Sequence, residues 1–359
     1  MYNMTNYIKW RGDLSFSEDS FNEVDNLIFT QLAYLDFSYI VSPKISKYIF
    51  LEEAWKKYIM LGRKPEGVIL PEEIYVMFGA MAKSRRFSKI KLSGFVSKLD
   101  EKQEEQFAAI TLSFDKNIFV SFRGTDDNLV GWKEDFNMAF METVPAQTEA
   151  ALYLNNVMRK TFIKPVYVGG HSKGGNLSVF AAMHCKKIYK HRIKKIYTND
   201  GPGFLEKVIQ SKEYADISER IVSIVPEGSV VGQLLSHGKP DDIIVKNECS
   251  VLKQHNPFTW EVMGSTFLRA EKLNEKSVKV NAVISSWLSK MDDAERESFV
   301  DAVYELFKVS DAKSLKDIYN DKIGFLKSLG KLSKESKKDI SKNIGQIVEE
   351  ITKIKGKKK

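Results

Sequence analysis

Cysteine is scarce: only Cys185 and Cys249 occur in 359 residues, far apart and outside any CxxC pattern. That spacing excludes a disulfide framework and a cysteine-based zinc site, and both thiols are expected as buried apolar residues. Long hydrophobic runs are also missing. No stretch approaches the roughly 20 apolar residues of a transmembrane helix, and the opening MYNMTNYIKWRGDLSFSED turns charged before an apolar run of signal-peptide length. A cytoplasmic protein is expected, in which the Arg-Gly-Asp match is a coincidence. Acidic residues fall short of basic ones, 47 against 55, for a formal charge of +8. Much of the excess lysine lies near the C-terminus, and no zinc finger, P-loop or RNA-binding aromatic signature accompanies it. Nucleic acid is therefore not expected as a partner. No pattern calls for a metal or a cofactor, and none speaks to oligomeric state.

With 43% hydrophobic residues, the chain has enough apolar material for one large α/β domain with an appendage. Residues 1–89 read as a helical region packed on the core: FNEVDNLIFTQLAYLDF has apolar residues at helical spacing, and Pro71 opens a further helix. From Ile90 the period changes. KIKLSGFVSKL, QFAAITLSF and NIFVSFRGT are strand-like runs forming an antiparallel meander. Helix and strand then alternate, which implies a parallel sheet with helices on its faces over residues 90–271. Residues 272–359 read as a helical, lysine-rich extension. Ile344, Ile347, Val348, Ile351 and Ile354 share a helical face beside KIKGKKK, which suits either packing on the main domain or peripheral contact with an anionic membrane.

The stretch PVYVGGHSKGGNLSVFAAMHC reads strand, sharp turn, helix. Ser172, between Gly170 and Gly174, fits the G-x-S-x-G nucleophile elbow, whose confirming context is this transition. A serine nucleophile needs a base, usually histidine, and a carboxylate to hold the base's tautomer. Only five histidines exist. His171 is committed to the turn, and His184 and His191 lie on or just beyond the following helix, which leaves His237 and His255. Chain order favours His255, after the last strand-like run. Asp200 in YTNDGPGF and Glu227 in IVPEGSVVG both satisfy the order expected of the acid. For the oxyanion, Lys173 offers its backbone N–H, and Thr125, at the strand end VSFRGTDD, offers an N–H and a hydroxyl. Arg123 is expected in a structural ion pair.

Together, IFVSFRGTDDNLVGWKEDF, VYVGGHSKGGNLS and a loop with a late histidine resemble the α/β-hydrolase superfamily in its class 3 (fungal triacylglycerol) lipase branch. NYIKWRGDLSF, FNEVDNLIFTQLAYLDF, DGPGF, SVVGQLL and QHNPFTWEV resemble more closely a bacterial, mainly Firmicute, lipase-like family, over most of residues 4–265. The resemblance implies an α/β-hydrolase fold whose mostly parallel sheet has an antiparallel N-terminal part and helices on both faces. It also implies Ser172 as nucleophile, His255 as base, an oxyanion hole of Thr125 and Lys173, and structural roles for Trp132 and Asp135. One departure stands out: Ser229 occupies the place where class 3 lipases have their acid, so the acid has moved to Glu227 or to Asp200, with Asp200 preferred. The activity implied is a cofactor-independent serine hydrolase acting on carboxylic esters, with lipid or acyl-glycerol esters in view. The alternative is a catalytically inactive binding or scaffold protein on the same fold.

Overall fold

The computed structural model describes residues 2–65, 70–100, 102, 105–126, 129–138, 141–238, 242–310, 324 and 327–356; the side chains of residues 129, 132, 252, 308 and 352–356 lie outside the description. Two helices open the chain, α1 (Met4–Arg11) and α2 (Glu23–Leu32), each begun by an asparagine, Asn3 and Asn22, whose side chain accepts from the first free backbone N–H groups. Every residue of α2 from Val24 to Leu32 is buried. Its polar positions are therefore paired: Asp25 holds Arg86 in a fully buried ion pair and accepts from the Tyr7 hydroxyl at 3.2 Å. A two-residue strand, β1 (Ile49–Phe50), leads into α3 (Leu51–Met60), and Pro71 stands at the first position of α4 (Pro71–Lys83).

The sheet continues with β2 (Lys91–Asp100), β3 (Glu105–Phe114) and β4 (Asn117–Phe122), each antiparallel to the strand before it. After α5 (Leu129–Asn137) and α6 (Pro145–Lys160) come β5 (Val166–His171), α7 (Lys173–Met183), α8 (Lys187–Lys190), β6 (Ile193–Asn199), α9 (Glu206–Ile209), α10 (Lys212–Ala215), β7 (Ile221–Pro226) and β8 (Ile243–Val245). Strands β4 to β8 pair in parallel, so the eight strands lie in chain order. Period-two alternation divides their side chains between two cores. Ile110, Leu112 and Phe119 pack with α1, α2 and α4 on one face. Phe107, Ala109, Ile118 and Val120 pack with α6 and α7 on the other. A sheet covered on both faces, its parallel half built from strand–helix units, is the α/β-hydrolase fold.

A small hairpin, β9 (Val262–Met263) and β10 (Thr266–Phe267), precedes the C-terminal helices α11 (Glu275–Ser289), α12 (Asp293–Val309) and α13 (Lys334–Gly356). These join through Trp287, whose indole N–H donates to Asn343 at 3.0 Å, and through Ser286, which donates to Glu350 at 2.6 Å. On α13, Ile340 is buried while Ile344, Val348 and Ile351 are exposed. The Ile354 side chain and residues 357–359 lie outside the described part. Cys185 is buried as expected; Cys249 is only half-buried.

Candidate active site

The turn between β5 and α7 is built by close approach. A Cβ on Gly170 would stand 2.1 Å from the Gly174 backbone, and one on Gly174 would stand 2.2 Å from the Phe122 carbonyl oxygen, so neither position accepts a side chain. Between them Ser172 adopts φ 57 and ψ −132 as the residue capping α7. This backbone is one that non-glycine residues rarely adopt and that functional sites retain. The Ser172 N–H donates to the Asn199 carbonyl at 2.9 Å, which fixes the elbow against β6.

His255 and Asp200 converge on that serine. The Ser172 Oγ lies 3.0 Å from His255 Nε2, and His255 Nδ1 lies 2.6 Å from Asp200 Oδ2. Asp200 is fully buried just beyond β6 with φ 49. Its other oxygen, Oδ1, accepts from the Ser229 hydroxyl and from the Gly232 N–H at 3.1 Å. Ser229, at the position expected of the class 3 acid, thus holds a carboxylate that comes from one strand earlier. Glu227, the other candidate acid, is not the histidine's partner: its carboxylate accepts from the Asn247 N–H at 3.1 Å. His237 also lies apart, beside Gly203 and Tyr214.

Residues that pattern reading passed over hold the base in place. His171 Nε2 lies 2.9 Å from the His255 carbonyl oxygen, and the two rings stack with centroids 4.7 Å apart. Burial lowers the His171 pKa to about 3, so the ring is neutral near pH 7 and donates through Nε2 to that carbonyl. Gln254 clamps the loop from the other side, accepting from the Gly228 N–H at 2.6 Å and donating to the carbonyls of Asn247 and Cys249. The buried Trp260 donates to the Gln254 carbonyl at 2.9 Å. A lone glutamine beside a histidine carries no sequence signal of this kind.

Thr125 follows β4 and is buried. Its hydroxyl donates to Asp135 Oδ2 at 2.5 Å, which ties up the hydroxyl and leaves the backbone N–H as the group it offers an oxyanion. Burial raises the Asp135 carboxyl to about 6, against the lowering pull of Lys173 and of the Thr125 hydroxyl. The sequence points to Lys173 only for its N–H, yet its side chain is buried as well. Its Nζ donates to Glu134 Oε2 at 2.9 Å and to the Gln106 carbonyl at 3.2 Å, with Asp135 Oδ1 3.7 Å away. Glu134, also fully buried, accepts from the N–H groups of Gln106 and Ala146. Arg123 makes its expected ion pair, with Asp126 at 3.3 Å. Asp135 holds Thr125, while the Trp132 side chain lies outside the described ones.

Ser172, His255, Thr125 and Lys173 line a cavity of about 320 Å³. Its remaining wall is largely apolar, with Ile74, Met138, Leu234 and Leu235 from the main domain and Leu288 from α11. The arrangement sets a hydroxyl against an imidazole, with backbone N–H groups nearby, in a largely apolar cleft, the groups that acyl transfer uses.

No curated protein matches the chain in sequence. Among solved structures it is similar to the native Rhizomucor miehei lipase propeptide complex, at 15% identity over 69% of this chain and 74% of that one with a TM-score of 0.35. It is also similar to the lipase from Rhizopus microsporus var. chinensis, at 15% identity over 70% and 80% with a TM-score of 0.39. The family model described as Mbeg1-like matches residues 81–305, more than half of the sequence and all three residues of the Ser172–His255–Asp200 line: the chain belongs to the Mbeg1-like family.

Proposed function

We propose that this protein is a serine hydrolase that cleaves carboxylic esters through an acyl-enzyme on Ser172. The observation that carries this reading is the unbroken line from Ser172 Oγ through His255 to the buried Asp200 carboxylate, with the serine on a strained elbow. In the reaction, Ser172 Oγ attacks the acyl carbonyl while His255 Nε2 takes its proton. Asp200 stabilises the imidazolium that forms, and the N–H groups of Lys173 and Thr125 receive the oxyanion. The tetrahedral intermediate collapses as His255 returns the proton to the departing alkoxide. Water, deprotonated by the same histidine, then releases the carboxylic acid and restores Ser172. The cavity of about 320 Å³ holds on the order of ten water-sized groups, and its apolar wall suits a medium-length acyl chain of a lipid or acyl-glycerol ester.

Fluorophosphonate labelling of the full chain, read by peptide mass spectrometry, tests this. Label on Ser172 that disappears in Ser172→Ala and in His255→Ala is expected. A folded wild-type protein that neither takes label nor hydrolyses p-nitrophenyl esters of any chain length would refute catalysis and leave a binding protein on a hydrolase fold.

A further inference from the structure

A second cavity, of about 180 Å³, shares Pro202 with the catalytic pocket but is lined otherwise by different residues. Three polar atoms on its lining residues, Ser223 Oγ, His237 Nε2 and Asp242 Oδ1, are buried and have no hydrogen-bond partner among the described residues. Native structures leave few such groups unsatisfied, and three around one cavity mark a place that a ligand completes. Their chemistry defines the ligand. Burial holds the His237 imidazole below its usual pKa against the upward pull of Asp242. Among the described residues no cation pairs with Asp242, and a carboxylate with a buried oxygen and no countercharge is costly. It calls for a positive donor. Ser223 and His237 call for a group that both donates and accepts, such as a hydroxyl. Val179, Phe204 and Ile221 supply apolar wall for a short carbon chain.

We propose that this cavity binds a small aliphatic ammonium carrying a hydroxyl, an amino alcohol of ethanolamine's size, with the ammonium on Asp242 and the hydroxyl on Ser223 and His237. The volume, about six water-sized groups, admits such a molecule and excludes a long-chain amphiphile. Phe204 N–H donates to the Ser236 carbonyl at 2.8 Å and the Tyr214 hydroxyl donates to the His237 carbonyl, which hold the His237 segment across the cavity.

Ligand-observed NMR titration of ethanolamine into the full chain tests the assignment, with ethylamine and propan-1-ol as the probes lacking one group each. Saturable one-site binding is expected, weaker for ethylamine and absent for propan-1-ol. Asp242→Asn should weaken it about tenfold or more, as loss of a charge-assisted hydrogen bond does, while Asp135→Asn, which alters the carboxylate of the catalytic pocket, leaves it unchanged. Ser223→Ala serves as the second variant should Asp242→Asn fail to fold, and should weaken ethanolamine towards the level of ethylamine. Absence of saturable binding, equal affinity in folded Asp242→Asn, or loss in Asp135→Asn instead would overturn the proposal. None of these readouts depends on hydrolysis.

Discussion

Asp200 is where reading the residues alone left two answers and the structure chooses one. Asp200 and Glu227 both end strands after the elbow, so chain order does not separate them; what does is that Asp200 Oδ2 faces His255 while Glu227 is engaged by a backbone N–H. Asp200→Asn should lower kcat on a p-nitrophenyl ester by about 10⁴, the scale of losing a triad carboxylate. Ser229→Ala should cost far less, and Glu227→Gln should leave kcat close to wild type; a large loss in Glu227→Gln alone would reverse the assignment. Lys173 shows what sequence hides: its charge looks like a solvated lysine, yet the side chain is sealed against Glu134. Lys173→Met strands a buried carboxylate and should destabilise the fold by about 3–5 kcal/mol. Lys173→Met with Glu134→Gln should recover much of that in a double-mutant cycle from urea unfolding, and simple additivity would argue against the pair. His171 gives the pH dependence. Burial lowers its native pKa to about 3, below the 6.5 of a free histidine. As pH falls from 6.5, the unfolded chain binds a proton that the native ring refuses, and stability drops until about pH 3. Asp135, raised from 3.8 to about 6, acts in the opposite sense between those values. Both forms of the protein share that contribution, so thermal midpoints of His171→Asn should fall less steeply than wild type between pH 6.5 and 4; parallel curves would contradict a buried neutral histidine.

At the scale of elements, what is periodic is what can be read. The meander β2–β4, the elbow strand and helix, and the strands of the parallel half all follow from alternation, glycine breaks and apolar spacing. The short or mixed pieces do not: β1 is two residues long, the β9–β10 hairpin likewise, and α3 carries charges that mask its apolar face, although Leu51, Ala54 and Tyr58 are fully buried. Helix α2 was legible as a helix but not as one buried all round, because Asp25, Asn26, Thr30 and Gln31 read as a solvent face. Asn26 in fact donates to Asn199, which donates in turn to the Gly170 carbonyl at 2.9 Å. The elbow therefore rests on an N-terminal helix as well as on its own strand. One contact that tolerates little change is between α7 and β4, where Gly174 meets the Phe122 carbonyl. Gly174→Ala should push the helix off the strand, lowering the thermal midpoint and abolishing labelling of Ser172 together. An unchanged midpoint with full labelling would mean that the glycine is there for something other than space.

The whole molecule brings its C-terminal extension back to the cleft that holds Ser172, a relation that no local pattern contains. Lys133 on α5 pairs with Asp301 on α12 at 2.7 Å and lies 5.0 Å from the centre of the Tyr304 ring, next in sequence to the Glu134 and Asp135 that hold Lys173 and Thr125. Helix α11 delivers Leu288 to the cavity wall, while α13 ties α11 to α12. The extension thus contributes to the wall of the pocket that holds Ser172, although its sequence reads only as charged amphipathic helices. Apolar contact made by the distal part of a substrate contributes only when the substrate is long enough to reach it, at about 0.8 kcal/mol per buried methylene. Leu288→Ala should therefore lower kcat/KM for a p-nitrophenyl decanoate by roughly tenfold, equivalent to about 1.4 kcal/mol, and leave p-nitrophenyl acetate within about twofold of wild type. An equal fall on both esters would place Leu288 in support of the triad, and no change on either would remove α11 from the substrate's path.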